Sequence, residues 1–361
     1  MNETGEKAAE SEPFGWGIIG SGEIAQRFAS DLALVPNAVI AANHSRTLAK
    51  AENFAQTYGS RRVYAELDSF MADSAIDAVY IATPNSLHLA QALKAVRSGK
   101  AILAESPLAP SHTEASVIQR EAARVNVFAM EALWTLFLPA VIAAKTRVDA
   151  GEIGTIRKIT AEFAHKREYD PKSRYFSRSL SGGASLDLGL CCVALAMHFL
   201  GQPQKVSGVW HAAPNGVDMS SDITLHYDGA EALLSCGFDR DGANHFIIEG
   251  SKGALRLNGP FPNASKLTSY HGFAQRPPFG PVPGAAGVLG AILDRLPVPG
   301  RRIEDYPFEG SGLQFGAMAV METIKAGKKS SPVIPLANSI NALRAISMVL
   351  SQHATPRVIK L

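Results

Sequence analysis

The chain is short of cysteine, of net charge and of long apolar runs, and each shortage excludes a class of protein. Its 361 residues include three cysteines, Cys191, Cys192 and Cys236, two of them adjacent. Three cysteines cannot build a disulfide framework and neighbours rarely bridge each other, so reduced thiols in a cytoplasm are expected. Formal net charge is +2, from 35 basic and 33 acidic residues. Such a balance implies no polyanion-binding surface and no nucleic-acid partner. No apolar run reaches the roughly 20 residues of a bilayer span, so no membrane partner is expected, and residues 1–12 read as a disordered tail without a signal-peptide core. The ten histidines are dispersed and no Cys-x-x-Cys occurs. No metal is expected.

What is present begins at residues 14–25, where apolar residues ending in Ile18-Ile19 run into Gly20-Ser21-Gly22-Glu23-Ile24-Ala25. This reads as a buried strand, a tight glycine turn and the first residues of a helix. Gly20 suits the positive φ of the bend, Gly22 lets backbone approach a pyrophosphate, and Ala25 lets the helix pack closely on the sheet. The free N–H groups around Glu23 and Ile24 would then face the phosphates of a dinucleotide.

Strand-like runs at 38–42, 78–82, 101–104 and 125–130 alternate with helical patterns, and Ser111-His112-Thr113-Glu114 has the form of a capping box. That alternation implies a doubly wound parallel sheet over residues 13–135, with ligands at the carboxyl ends of its strands. Ser45, Arg46, Thr83, Pro84, Asn85, Glu105 and Ser106 fall at those ends. Residues 136–361 read differently. A long alternating stretch at 156–165 and an apolar helix at 186–200 precede strands at 206–211, 223–227, 230–238, 245–249 and 254–257. Asp228-Gly229 supplies a two-residue hairpin turn. A second α/β domain with a large, mostly antiparallel open sheet follows, with helices near 312–326 and 339–352 at its end. An open sheet face asks for a partner, so a homo-oligomer, dimer or tetramer through this sheet, is expected. The Pro- and Gly-rich stretch 260–307 reads as an excursion with little regular structure, open to an arm, a lid or a mobile loop.

These pieces resemble the glucose-fructose oxidoreductase and inositol dehydrogenase (Gfo/Idh/MocA) family, and within it the dihydrodiol and pentose dehydrogenase branch. The likeness is carried by Gly17 to Ala25, Tyr80-Ile81-Ala82-Thr83-Pro84-Asn85-Ser86-Leu87-His88, Gly99 to Leu108, Met130-Glu131-Ala132-Leu133-Trp134 and Gly182 to Gly189. It implies an NAD(P)-binding Rossmann domain and a second domain whose sheet is both substrate floor and oligomer surface. It also implies a catalytic set from which this chain departs. The family's Glu-Lys-Pro is Glu105-Ser106-Pro107 here, and its His or Tyr four residues after the aspartate Asp187 is Cys191. Ala194 stands where another aspartate is common. Serine can donate a hydrogen bond but brings no charge to the proton path.

The candidate catalytic residues are therefore Ser106, Asp187 and Cys191. Asp187 would face the pocket or cap the following helix. Cys191 is either a weak acid/base, if Lys166 or Arg174 lowers its pKa, or a packing residue. By family position Asn85 and His88 contact the nicotinamide side, or Pro84-Asn85 is simply a strand-to-helix turn with a cap, and Trp134 walls that pocket or packs in the core. Arg46, with no acid beside it at the second strand's end, favours NADP over NAD. The stretch 165–169 would bind a polar or acidic small molecule or remain a solvated strand end. The expected activity is hydride transfer to or from a sugar, diol or related carbonyl compound. The competing reading is a nucleotide-binding sensor or subunit with little turnover.

Overall fold

A computed structural model describes residues 12–259, 261–271 and 299–352. Apart from Glu12, the tail expected at 1–12 lies outside the described residues, as does most of the excursion expected at 260–307.

Strands β1 (Phe14–Ile19), β2 (Ala38–His44), β3 (Val63–Tyr64), β4 (Ala78–Ile81), β5 (Ala101–Ala104) and β6 (Ala129–Glu131) form one parallel sheet in the order β3-β2-β1-β4-β5-β6. Every residue of β4 and β5 is buried, as continuous apolar runs between helices require. The strand expected at 125–130 starts only at Ala129, because the preceding helix closes through Asn126 at φ 55°. The helices are α1 (Glu23–Leu32), α2 (Leu48–Tyr58), α3 (Leu67–Met71), α4 (His88–Arg97) and α5 (His112–Arg124). Thr47 caps α2, and the Ser111 hydroxyl accepts the Glu114 amide at 3.3 Å to cap α5. Phe28 of α1 stacks on Tyr80 of β4 with ring centroids 3.6 Å apart, and Trp16 meets Phe28 edge-on. That aromatic trio holds α1 against the two strands that flank the reversal in strand order. Truncating Phe28 to Ala would cost about 3 to 5 kcal/mol.

After α6 (Pro139–Asp149) come β7 (Ile156–Ala164), α7 (Leu190–Leu200), β8 (Lys205–Ala212), β9 (Asp218–Tyr227), β10 (Ala230–Gly237), β11 (Phe246–Gly250), β12 (Gly253–Asn258), β13 (Lys266–His271) and β14 (Arg301–Asp305). They form an eight-stranded sheet ordered β14-β13-β12-β11-β7-β10-β9-β8, antiparallel except between β7 and β10. The Asp228-Gly229 turn joins β9 to β10, with Gly229 at φ 72°. Strands β13 and β14 correct the expectation for 260–307. Both ends of that segment are paired, with Lys266 opposite Asp305 and Tyr270 opposite Arg301. Partners 31 to 39 residues apart carry no short-range turn signal.

The last helices, α8 (Leu313–Lys325) and α9 (Leu336–Leu350), pack on α1 and α5, and α9 also packs on α7 and β8. The Asp31 carboxylate at the end of α1 accepts the amides of Ser311 and Leu313 at 2.9 Å each and so caps α8. Within Arg178–Leu200 one apolar window reaches a mean hydropathy of 1.7, high enough by length and composition alone for a membrane span. In the fold 72% of that window is buried as core.

Candidate functional site

A continuous cleft of about 1410 Å³ runs between the two sheets, from the turn after β1 to the wide turn before α7. Its floor at one end is backbone. Gly20 adopts φ 117°, and a Cβ there would lie 2.5 Å from the Ala82 carbonyl, so only glycine fits. Gly22 is the extended N-cap of α1 with no side-chain cap. A Cβ on Gly22 would meet nothing within 4 Å, so packing inside the protein does not ask for glycine here. An incoming group does. Uncapped amides at a helix N-terminus bind anions, and the bare turn admits a pyrophosphate against them. Gly20, Gly22, Glu23 and Ile24 line this end. Ala25 does not: it is fully buried and lets α1 lie on the sheet.

Beyond the turn, Ser45, Arg46 and Lys50 line the wall after β2. Ser45 is 4% exposed and its hydroxyl has no hydrogen-bond partner. The acids lining the whole cleft are Glu23, Glu105 and Asp187, none of them at the end of β2. The residues present thus fit a dinucleotide, with a hydroxyl to answer and two cations where a 2′-phosphate would lie.

Toward the middle, Thr83, Pro84, Asn85, Glu105, Ser106 and Trp134 line the cleft. The Thr83 hydroxyl donates to Gln91 at 2.6 Å, and the Asn85 amide donates across the cleft to the Ser181 carbonyl at 2.9 Å. Trp134 lines the cleft, and its ring packs against Gly312. The Tyr80 hydroxyl donates to the Glu105 carboxylate. Burial pushes Glu105 up to about 7 in spite of that bond.

His88 corrects an expectation. It is fully buried and absent from the cleft, and its two ring nitrogens lie 2.8 Å from the carbonyls of Pro107 and Thr83. It ties the loop after β4 to the loop after β5 from behind rather than touching a nicotinamide. Burial lowers its pKa and both carbonyls oppose that. Glu131, which the sequence reading assigned no role, performs a parallel task. Fully buried at the end of β6, it accepts the Leu108 amide at 2.9 Å, and burial raises its pKa. Nothing in the spacing of either residue signals that it faces inward.

At the far end, residues 185–189 form a π-helical turn that runs directly into α7, so the helix expected at 186–200 is present with a widened first turn. The Ser185 amide donates to buried Asp218 at 2.6 Å, and the Ser185 and Ser221 hydroxyls are 2.6 Å apart. This anchorage turns Asp187 and Cys191 to the cleft. Arg174 donates to Asp187 at 2.8 Å. Burial works against the Arg174 cation, but Asp187 and Tyr175 together outweigh it and hold its pKa up. Cys191 lies 3.7 Å from the Thr135 hydroxyl, and burial pushes its thiol up to about 11. The lowered pKa considered for Cys191 is therefore not found. Arg174 is engaged by Asp187, and Lys166 is exposed outside the cleft lining. Sequence reasoning also missed Tyr175, Arg27 and Lys50, all cleft-lining. Among the described residues no three His, Cys, Asp or Glu side chains gather as a metal site.

Comparison with known proteins gives the same division. Residues 14–132 match the oxidoreductase family with an NAD-binding Rossmann fold, and residues 141–256 match the GFO/IDH/MocA C-terminal domain. Trans-1,2-dihydrobenzene-1,2-diol dehydrogenase of Mus musculus is 31% identical over 330 residues, covering 90% of this chain and 92% of that protein. The Homo sapiens enzyme of the same name is 30% identical at the same coverage. Among solved structures, aldose-aldose oxidoreductase from Caulobacter crescentus, complexed with glycerol, superposes with a TM-score of 0.79 at 21% identity, covering 93% of this chain and 96% of that one. Levoglucosan dehydrogenase, complexed with NADH and levoglucosan, gives the same TM-score, identity and coverage. With both domains matched in order and a relative above 30% identity along nearly its full length, the chain belongs to the Gfo/Idh/MocA family of NAD(P)-dependent oxidoreductases.

Proposed function

We propose that this oxidoreductase prefers NADP and moves hydride between it and a carbon bearing a hydroxyl or carbonyl group on a small diol or sugar-like molecule, with an altered proton path. The observation that carries the reading is the unbroken cleft from the phosphate turn to Asp187 and Arg174. Its volume exceeds the roughly 300 to 1,000 Å³ of a single-ligand pocket and accommodates a dinucleotide with a substrate beside it. The relatives' names, a diol dehydrogenase and enzymes of aldoses and levoglucosan, support the substrate class.

When bound, the nicotinamide supplies or accepts the hydride. The chain's own residues hold the substrate and handle the proton. Ser106 Oγ offers a hydrogen bond to the reacting oxygen. Asp187, steadied by Arg174, orients a hydroxyl. Cys191 remains a thiol at neutral pH, lines the cleft and takes no proton from the substrate. Glu105, pushed up to about 7, is a wall carboxyl that exchanges a proton near neutrality, through Ser106 or a bound water. A well-placed acid/base contributes about 10² to 10⁴ in rate, so turnover slower than in lysine-bearing relatives is expected by up to that factor.

The outer face of the eight-stranded sheet, where Val209 and Ile303 are exposed, is the proposed surface for a dimer or tetramer. The three free cysteines support a reducing, cytoplasmic setting. Single-turnover mixing of the NADPH-loaded protein with ketoses, aldoses and diketones tests the activity. Oxidation of the coenzyme by one of the panel is expected. A coenzyme that binds and stays reduced throughout would leave the nucleotide sensor instead.

A further inference from the structure

The substrate end of the cleft carries a positive charge that the fold does not answer. Arg167, just beyond β7, lays its guanidinium over Tyr175 with its central carbon 3.6 Å from the ring centroid. The Arg174 guanidinium stands 4.1 Å from the same centroid. Both cations thus stand over the one Tyr175 ring. Arg174 is matched by Asp187. Arg167 is not: among the described residues no carboxylate pairs with it, and its Nε is buried without a hydrogen-bond partner. Glu162 on β7 and Asp239 beyond β10, acids on neighbouring strands, are both engaged by Arg240.

Stacking on an aromatic face fixes a guanidinium plane but leaves its N–H edge unsatisfied. A buried donor without an acceptor is costly to maintain, so such a donor in a cleft wall marks the place of an incoming acceptor. We infer that Arg167 recognises a carboxylate on the substrate, which makes the preferred substrate an acidic polyhydroxy compound, of the aldonic or uronic acid class, rather than a neutral diol. The inference rests on the oxidoreductase reading only for where the substrate lies. A guanidinium fork matches the two oxygens of a carboxylate in one plane. One surplus positive charge also matches one carboxylate, whereas a phosphate monoester brings nearly two negative charges.

Calorimetric binding to the NADP-loaded full chain, with steady-state turnover alongside, compares gluconate and glucuronate with sorbitol and glucose, and with glucose 6-phosphate. The acids are expected to bind best. In Arg167→Gln the acid-over-polyol ratio of Kd should fall about 10- to 100-fold, with Arg167→Lys recovering part of it. KM for the acid should follow Kd while kcat moves less than about threefold. Thermal unfolding and coenzyme titration establish that both variants are folded. The inference is overturned if the wild type binds no acid, if it binds the polyols or glucose 6-phosphate as well as the acids, or if Arg167→Gln keeps the ratio. Acid binding that depends on Arg167 but leads to no coenzyme turnover would sink the hydride-transfer reading and leave this one standing. Turnover without preference for the acids would do the reverse.

Discussion

The two ends of the cleft are built from different material. At the end proposed for the coenzyme the phosphate turn is backbone, a glycine turn and the amides that open α1, with the Ser45, Arg46 and Lys50 side chains beside it. At the proposed substrate end the lining is side chains: Arg167, Arg174 and Tyr175 from the loop after β7, and Asp187 and Cys191 from the helix start that Asp218 of β9 anchors from behind. A backbone site tolerates change in neighbouring side chains because φ/ψ and helix direction define it. A side-chain site changes with each substitution. The resemblance to the family implies that this chain keeps the first end in the family's form and departs from it at Ser106, toward the middle, and at Cys191.

Variants at either end sharpen that contrast. The largest expected effect is Ser106→Lys, which restores a cation at the proton path. Steady-state kinetics should show kcat rising about 10² to 10⁴-fold with coenzyme Kd little changed. A fall in both would mean that the two ends are not separable.

Gly22→Val is the mirror case. A side chain there has room in the protein but occupies the phosphate approach, so coenzyme Kd should rise by about a hundredfold while the melting temperature stays within a few degrees. Equal losses of stability and binding would show that Gly22 is a packing glycine.

Glu105 sits on the boundary between the two ends. Its folded pKa, about 7, lies above the ordinary 4.5, so the folded state holds a proton that the unfolded chain has released between those pH values. Stability contributed by this group is full below about 4.5 and is lost as pH rises toward 7. Glu105→Gln removes the loss. Denaturant titrations should show the variant gaining about 2 to 3 kcal/mol relative to wild type between pH 4.5 and 8. A constant difference across that range contradicts the raised pKa.

Cys191→Ala carries the smallest expected effect. A thiol held up to about 11 takes no part as a base at neutral pH, so kcat should change less than about threefold and the pH profile below pH 9 should keep its shape. A lost pH limb would return Cys191 to the proton path.

The same contrast explains what the sequence disclosed. Gly20, Gly22, the Ser111 cap and the Asp228-Gly229 turn are local, since the conformation each needs is written in adjacent residues, and the structure has them where expected. His88 was legible as part of a loop but not in direction. Helix α4 begins at that residue and turns its ring inward to two carbonyls. Asp218 supports Ser185 from 33 residues away, and β13 pairs with β14 across a Pro-rich stretch. No short pattern encodes such contacts. That Arg167 and Arg174 share the Tyr175 ring is a tertiary contact that no spacing in the sequence discloses.

The central claim is that the turn after β1 holds a dinucleotide with NADP preferred, and the most direct measurement is a fluorescence titration of the full chain with NADPH and with NADH. Saturable binding at micromolar concentration, tighter for NADPH by about tenfold and levelled toward NADH in Arg46→Ala, is the predicted result. No binding of either coenzyme at millimolar concentration would contradict it.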